Sequence, residues 1–248
     1  MILTIDVGNT RIKGAVFESD TLVEQFQFEP KALQNGIESI LNKYPSTSDL
    51  VVASVGNFDK NDFLSFSNQI AIYFISHTDP FPFLNAYATP NTLGIDRMVL
   101  AAGATLRYPN QNRLVIDAGT CITYDMINKE GIYYGGSISA GINMRLKAMH
   151  QFTSKLPLVP FDESFDKNFG QNSSEAILSG VLNGVWFEAK GFLEAQQTNN
   201  FKVILCGGDA PFFDTRFKNS IFAHLILHEP NLVLIGLNTV VKYQHDHN

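Results

Sequence analysis

The chain opens on two short apolar runs, residues 2–5 and 12–17, divided by a Gly8-Asn9 turn signal, and a third run with alternating apolar positions follows at 22–28. Runs of this length between turn residues predict strands, and three in succession predict a β-meander. Residues 32–43 then place Leu33, Ile37, Ile40 and Leu41 at helical spacing. Apolar runs at 50–55 and 70–75 continue an alternation of strand and helix. A stretch rich in proline and aromatic residues, 79–90, interrupts the pattern as a surface loop or domain edge would, and 94–108 resumes it as a helix.

The same order then restarts, with strands predicted at 114–117, 122–127 and 132–138 and a helix at 142–150. Further on, the pattern predicts a long helix at 173–196, a short strand at 203–206 and a last helix at 230–243. The restart is visible in letters as well as in period. Leu3-Thr4-Ile5-Asp6-Val7-Gly8-Asn9-Thr10-Arg11-Ile12 aligns with Leu114-Val115-Ile116-Asp117-Ala118-Gly119-Thr120-Cys121-Ile122 when one residue is dropped. The two aspartates lie far beyond the period of a solenoid repeat, so the pattern predicts a duplicated domain. The expected division is 1–112 and 113–248, two α/β lobes with mixed sheets flanked by helices.

Composition narrows the function classes. The 248 residues are 45% hydrophobic and 17% charged, with a net charge of −6 and no run of like charge. That acidic balance gives no reason to expect nucleic acid as a partner. The first residues carry no basic leader and meet a carboxylate at Asp6, and no apolar run approaches the ~20 residues that span a bilayer. A cytoplasmic protein with no membrane partner is expected. Cys121 and Cys206 each adjoin an apolar run, where buried free thiols are expected in place of a disulfide.

Each copy of the repeated segment has a plain chemical use. An apolar strand delivers a carboxylate at its end, glycine lets the backbone turn tightly, and threonine adds a hydroxyl; backbone N–H groups in such a turn converge on phosphate oxygens while the carboxylate holds Mg²⁺ or its water. A solitary Asp-x-Gly after a strand is most often a simple turn. Two copies at equivalent places in a restarted fold shift the reading to a nucleotide gripped by paired hairpins. No Gly-x-x-x-x-Gly-Lys-[Ser/Thr] and no Gly-x-Gly occurs, which excludes the P-loop, the dinucleotide fingerprint and the protein-kinase glycine loop.

Three further segments join the set. In the stretch from Tyr87 to Arg97 a loop meets a helix start; Arg97 offers a planar donor for a carboxylate or phosphate, and Asp96 can take a proton from an attacking hydroxyl or simply complement the helix dipole. Gly135-Gly136-Ser137-Ile138-Ser139-Ala140-Gly141 and Cys206-Gly207-Gly208-Asp209 follow strands and permit close approach of a flat purine or ribose. His224 and His228 lack a third ligand in the zincin arrangement, and His245 and His247 fall near the chain end, so no metal role is read from them.

In this order, Asp6-x-Gly-Asn-Thr10, Gly94-x-Asp-Arg97, Asp117-x-Gly-Thr120, Gly135-Gly-x-Ile-x-x-Gly141 and Gly207-Gly-Asp209 resemble the type III pantothenate kinases, of the actin/hexokinase/Hsp70-like ATPase superfamily with its duplicated ribonuclease H-like lobes. The resemblance implies that Asp6, Val7, Gly8, Asn9, Thr10, Arg11, Ile12 and Lys13 form the first ATP phosphate loop. Thr120 belongs to the second, and Asp117 holds a monovalent cation, K⁺ or NH₄⁺. It further implies that Asp96 is the base acting on pantothenate, that Tyr87, Gly94, Ile95 and Arg97 line the pantothenate site, and that Ser173 stands where the family has Thr. A homodimer whose partner chain completes the site is also implied, with 176–192 and 232–241 as contact faces unless they are core. Ala140 departs from the family's Pro, which frees that turn from the restriction a pyrrolidine ring imposes.

The implied chemistry is phosphoryl transfer from ATP with Mg²⁺ to a small acceptor, in which positioning and charge neutralisation dominate. Two other readings remain open. A different small-metabolite kinase of the superfamily would share both hairpins and differ around Gly94 to Arg97. A non-enzymatic ATP-binding accessory or regulatory protein would keep Asp6 and Asp117 without needing Asp96.

Overall fold

The computed structural model describes residues 1–8, 11–54, 59–196 and 201–247. Contacts divide the chain into two units, one comprising Met1–Asn110, Lys129–Tyr134 and Asn231–Asn248, the other Gln111–Asn128 and Gly135–Pro230.

Unit 1 begins with the expected meander, β1 (Ile2–Val7), β2 (Ile12–Glu18) and β3 (Thr21–Phe28), followed by α1 (Leu33–Lys43), β4 (Asp49–Ser54), the single turn α2 (Asn61–Leu64), β5 (Ala71–Phe74), the two-residue β6 (Leu84–Asn85) and α3 (Ile95–Arg107). The strands form one mixed sheet in the order β3-β2-β1-β4-β5. β1 is antiparallel to β2 and parallel to β4, and β4 is parallel to β5.

Unit 2 runs through β7 (Asn112–Ala118), β8 (Cys121–Ile127), β9 (Ile132–Ala140), α4 (Ile142–Gln151), α5 (Ser173–Glu194), β10 (Phe201–Cys206), α6 (Ala210–Lys218) and β11 (Ile226–His228). The first residues of β9 belong to unit 1, where Ile132 and Tyr133 pair with β6. The sheet order β11-β10-β7-β8-β9-β6 repeats that of unit 1 strand for strand, with β6 added at the edge. Directions repeat too: β7 is antiparallel to β8 and parallel to β10, and β10 is parallel to β11. The duplicated α/β arrangement expected from the restart is therefore present.

Continuous apolar runs in β1 and β4 follow from burial on both faces, as parallel strands require. Leu50 and Val52 face a cluster with Ile37, Ile40 and Phe63, while Val51 and Ala53 face Val99, Ala102, Leu237 and Val240. The second of these clusters is closed by α7 (Leu232–His247), which packs in unit 1 against α3. Leu237, Val240 and Val241 are fully buried, so α7 serves as core and not as a contact face. In unit 2, Ile116, Ile122, Leu182, Val185 and Phe213 belong to one cluster.

The sequence pattern did not predict α6 and β11. Proline at the first helical positions and a length of only nine residues hide α6, although Phe212, Phe213 and Phe217 bury its inner face. Three residues are too few for β11 to show a period. Cys206 is buried and free as expected, whereas Cys121, also free, is only half-buried because it starts β8 beside an exposed turn. Among the described residues no helix is long and apolar enough to cross a membrane.

Candidate active site

In unit 1 the first candidate loop is the hairpin between β1 and β2. Asp6 sits opposite Lys13, and Val7 opposite Ile12, before the chain turns. Val7 and Ile12 are fully buried in the core, so a phosphate could meet only their backbone. Gly8 N–H is already spent on Arg11 O at 3.2 Å, while the Arg11 side chain is exposed and Lys13 is half-buried. Asn9 and Thr10 lie outside the described residues.

Asp6 is held at the end of a strand between β2 and β4, where it also lies level with Ala53. Its residue keeps some solvent contact, but the carboxyl itself is packed round by protein. Burial raises its pKa to about 6; the Lys13 ammonium opposes the rise and the Asp96 carboxylate adds to it. That coupling brings two predicted site residues, Asp6 and Asp96, into one electrostatic neighbourhood within unit 1. A carboxylate only partly offset by one lysine, with a second carboxylate adding negative charge, favours a cation at Asp6.

Asp96 occupies the first turn of α3, where its Oδ1 accepts from Arg97 N–H at 2.9 Å. The carboxylate folds back over Gly94 so closely that a Cβ at that position would collide with Oδ1. Glycine therefore lets the carboxylate lie across the helix start. Arg97 is buried, with its guanidinium 5.9 Å from the Tyr87 ring centre. Tyr87 in turn packs near Tyr133, and its N–H is fixed by Asn85 Oδ1 at 3.0 Å. The structure thus gathers Tyr87, Gly94, Ile95, Asp96 and Arg97 in unit 1 and places Ser173, an exposed residue at the start of α5, in unit 2.

Unit 2 builds the second hairpin at the end of β7. Asp117 is half-buried, opposite Thr123 of β8 and level with Cys206 of β10. Gly119 N–H bonds Cys121 O at 2.9 Å, a turn one residue shorter than its counterpart from Gly8 to Arg11, as the alignment requires. Thr120 is exposed and its carbonyl accepts from Gly141 N–H at 3.1 Å, while Asp209 N–H reaches Ala118 O at 2.8 Å. The second hairpin, the Gly141 turn and the Gly207 to Asp209 turn consequently meet at one end of the sheet, outside the carboxyl ends of parallel strands, where α/β sheets bind ligands. Asp209 is raised by burial and then by the Glu163 charge.

A cavity of about 550 Å³ lies elsewhere in unit 2, lined among others by Trp186, Phe187, Arg216 and Asn219. It contains none of the motif residues. The polar network of Tyr124, Ser139, Arg145 and Glu188 beside the Gly141 turn escaped the sequence reading, because only Ser139 falls within a motif and the partners come from four different elements.

Comparison with known proteins agrees with this geometry. The family model described as "Type III pantothenate kinase" matches residues 2–195. A protein of that name from Flavobacterium johnsoniae is 52% identical over 250 residues, covering 100% of both chains. Another, from Bacteroides fragilis, is 41% identical over 249 residues, covering 98% of each. Among solved structures, a Campylobacter jejuni protein assigned to the Baf family of transcriptional activators superposes with a TM-score of 0.63 at 24% identity, covering 98% of this chain and 99% of that one. The activator of 2-hydroxyisocaproyl-CoA dehydratase from Clostridium difficile, with bound ADPNP, gives 0.57 at 14% identity over 99% and 94%. These structural likenesses establish the fold.

Burial of Asp6 has a measurable cost. Moving a carboxyl from 3.8 to about 6 corresponds to on the order of 3 kcal/mol. Because the folded value lies above the unfolded one, the unfolded chain releases its proton first, and stability falls as pH rises from about 4 to about 6 and stays lowered above. Asp6→Asn is therefore expected to raise the thermal midpoint of the metal-free chain at pH 8 and to leave it nearly unchanged at pH 4. Calorimetry at both values in a chelating buffer tests this; a variant less stable than the parent at pH 8 would show that Asp6 is a structural group.

Proposed function

This chain belongs to the type III pantothenate kinase family, and we infer from that membership that it transfers the γ-phosphoryl group of ATP to pantothenate, the first step of coenzyme A biosynthesis. The observation that carries the residue-level reading is the placing of Asp96 beside Asp6 in unit 1, next to a buried arginine and a tyrosine.

In this reading Asp96 orients the acceptor hydroxyl and takes its proton, while Arg97 and Tyr87 bind the acid, with Gly94 and Ile95 shaping that wall. Arg97 is suited to this because its guanidinium matches a carboxylate in a planar, two-point contact. Asp6 to Lys13 in unit 1 and Thr120 in unit 2 are each assigned to ATP phosphate, with Asn9 and Thr10 assigned from the family pattern alone. Mg²⁺, when bound, neutralises phosphate charge during transfer. Among the described residues no group of three His, Cys, Asp or Glu could hold a metal. Asp6, water and phosphate oxygens form the expected set, in keeping with the usual one or two protein carboxylates of a Mg-nucleotide site.

Asp117 is assigned to a K⁺ or NH₄⁺ ion. Support comes from Thr123, directly opposite, whose Oγ1 is buried without a hydrogen-bond partner among the described residues. A hydroxyl oxygen beside a carboxylate is a fitting pair of ligands for a hard monovalent cation. The homodimer is supported by the large apolar side chains that unit 2 leaves exposed, including Met144, Met149, Phe152, Leu158, Phe169 and Phe187; Phe152 is 80% and Phe169 86% accessible. Large apolar side chains left in solvent are surface that a partner chain would cover. Ser173 at the exposed start of α5 is then a substrate contact offered to the shared site. As halves of the duplicated sequence the lobes are 1–112 and 113–248, each carrying one phosphate hairpin, whereas in packing residues 129–134 and 231–248 join unit 1; the enzyme is assigned to the cytoplasm, where ATP is available.

Purified protein is expected to consume ATP with pantothenate and not with sugars or acetate, and Asp96→Asn should lower turnover by about 10²–10⁴-fold while nucleotide binding persists. Turnover with another acceptor points to a different kinase of the superfamily; ATP binding without any turnover points to an accessory protein; unchanged turnover in the variant removes Asp96 from the chemistry.

Activity should also rise when K⁺ or NH₄⁺ replaces Na⁺, and Asp117→Asn should abolish that response. Mass in solution should correspond to two chains. Full activity in strictly Na⁺ buffer from a 27.6 kDa species would sink both the cation and the dimer assignments.

A further inference from the structure

We propose that Arg145 and Glu188 are positioning residues that hold the second phosphate hairpin in its ATP-binding shape. The proposal rests on the reading that Thr120 meets ATP.

The argument starts at the turn that ends β9. Ala140 and Gly141 lie against the hairpin so tightly that a Cβ on Gly141 would collide with Gly119 O and stand 2.6 Å from Thr120 O, and the Gly141 N–H bonds that same Thr120 carbonyl. Backbone touches backbone, so any shift of the Ala140 turn is passed to residues 119–120 without a side chain to absorb it. What fixes the Ala140 turn is therefore decisive. Alanine has no ring to restrict its own φ.

Arg145, one turn into α4, supplies the restraint. Its Nε donates to Ala140 O at 2.7 Å, and its Nη2 donates to Ser139 Oγ at 2.5 Å and to Glu188 Oε2 at 2.6 Å. Glu188, on α5, has both oxygens engaged: Oε2 also accepts from Ser139 Oγ at 3.0 Å, and Oε1 accepts from Tyr124 OH at 2.9 Å. Tyr124 is itself immobilised, 2% exposed and stacked on Phe192 at 4.1 Å. Arg145 and Glu188 side chains are only 24% and 25% accessible, where charge-assisted bonds are worth more than at an open surface. The network thus runs from a fixed aromatic in β8, through α5 and α4, to the one carbonyl that precedes the hairpin contact.

The fork geometry matters as much as the charge. A guanidinium can hold a carbonyl and a carboxylate at once in fixed directions, whereas a lysine ammonium at the same place keeps the ion pair but not the planar fork. Arg145→Lys is then expected to keep the fold and lose the positioning.

The test measures KM for ATP and for pantothenate in Arg145→Gln, Arg145→Lys, Glu188→Gln and Thr120→Ala, with thermal midpoints alongside. Arg145→Gln and Arg145→Lys should raise KM for ATP about tenfold, with KM for pantothenate within about twofold of the parent, the size expected from losing a charge-assisted hydrogen bond. Glu188→Gln keeps the shape and should raise it by about threefold. The double variant Arg145→Gln with Thr120→Ala should fall short of the product of the single effects, since both act on one hairpin. If Arg145→Gln does not fold, Arg145→Lys and Glu188→Gln carry the test. A folded Arg145→Lys with a lowered midpoint and unchanged KM for ATP overturns the proposal. If Thr120→Ala itself leaves KM for ATP unchanged, the assignment of Thr120 fails first, whatever the Arg145 variants do.

Discussion

The constraint on which the molecule turns is a carboxylate at the end of a strand that is otherwise built for the core. β1 has Leu3, Ile5 and Val7 fully buried, and the same strand must present Asp6 where burial raises its pKa to about 6. A core designed for stability alone would not place a charge there, because a desolvated carboxylate destabilises the fold unless something compensates it. Lys13 compensates in part and Asp96 works the other way. The residual negative charge favours a cation at this place, and the strand neighbours β2 and β4 hold Asp6 in register at the strand end.

The duplication uses this device twice with different balances. Strand order and direction are the same in both sheets, and Asp6 and Asp117 occupy matching registers. Opposite Asp6 stands a lysine; opposite Asp117 stands Thr123, which carries no charge. The first hairpin brings its own cation, and the second offers oxygens. The shorter turn from Gly119 to Cys121 lies against the Gly141 turn, whose N–H bonds the Thr120 carbonyl.

Much of this was legible in the sequence because it is local. Strand runs, the meander and the restart follow from period and from repeated letters, and both aspartates fall where an apolar run ends. What was hidden depends on contacts between remote segments. α7 reads as an amphipathic helix of no fixed address, and only packing shows Leu237 and Val240 against Val51 and Val99. The influence of Asp96 on Asp6 needs the fold to bring a helix start and a strand end together. Val7 and Ile12 belong to the phosphate motif as letters, yet their side chains are core. Arg145 and Glu188 have no motif at all; on a helix, an arginine and a glutamate usually face water, and their role rests on Tyr124 and Ala140 being within reach.

The placing of α7 has a consequence for the chemistry. α3 carries Asp96 and Arg97 in its first turn, and its buried face, Val99 and Ala102 among others, packs with Leu237, Val240 and Val241 of α7. Gly103 and Gly236 let the two backbones come close, since a Cβ at 103 would lie 3.1 Å from Gly236 Cα. A helix start aimed at a ligand is only as well placed as the body of the helix behind it, and here that body rests on the final 16-residue helix of the chain. The proposed base is thus oriented by residues with no chemistry of their own and no proximity in sequence.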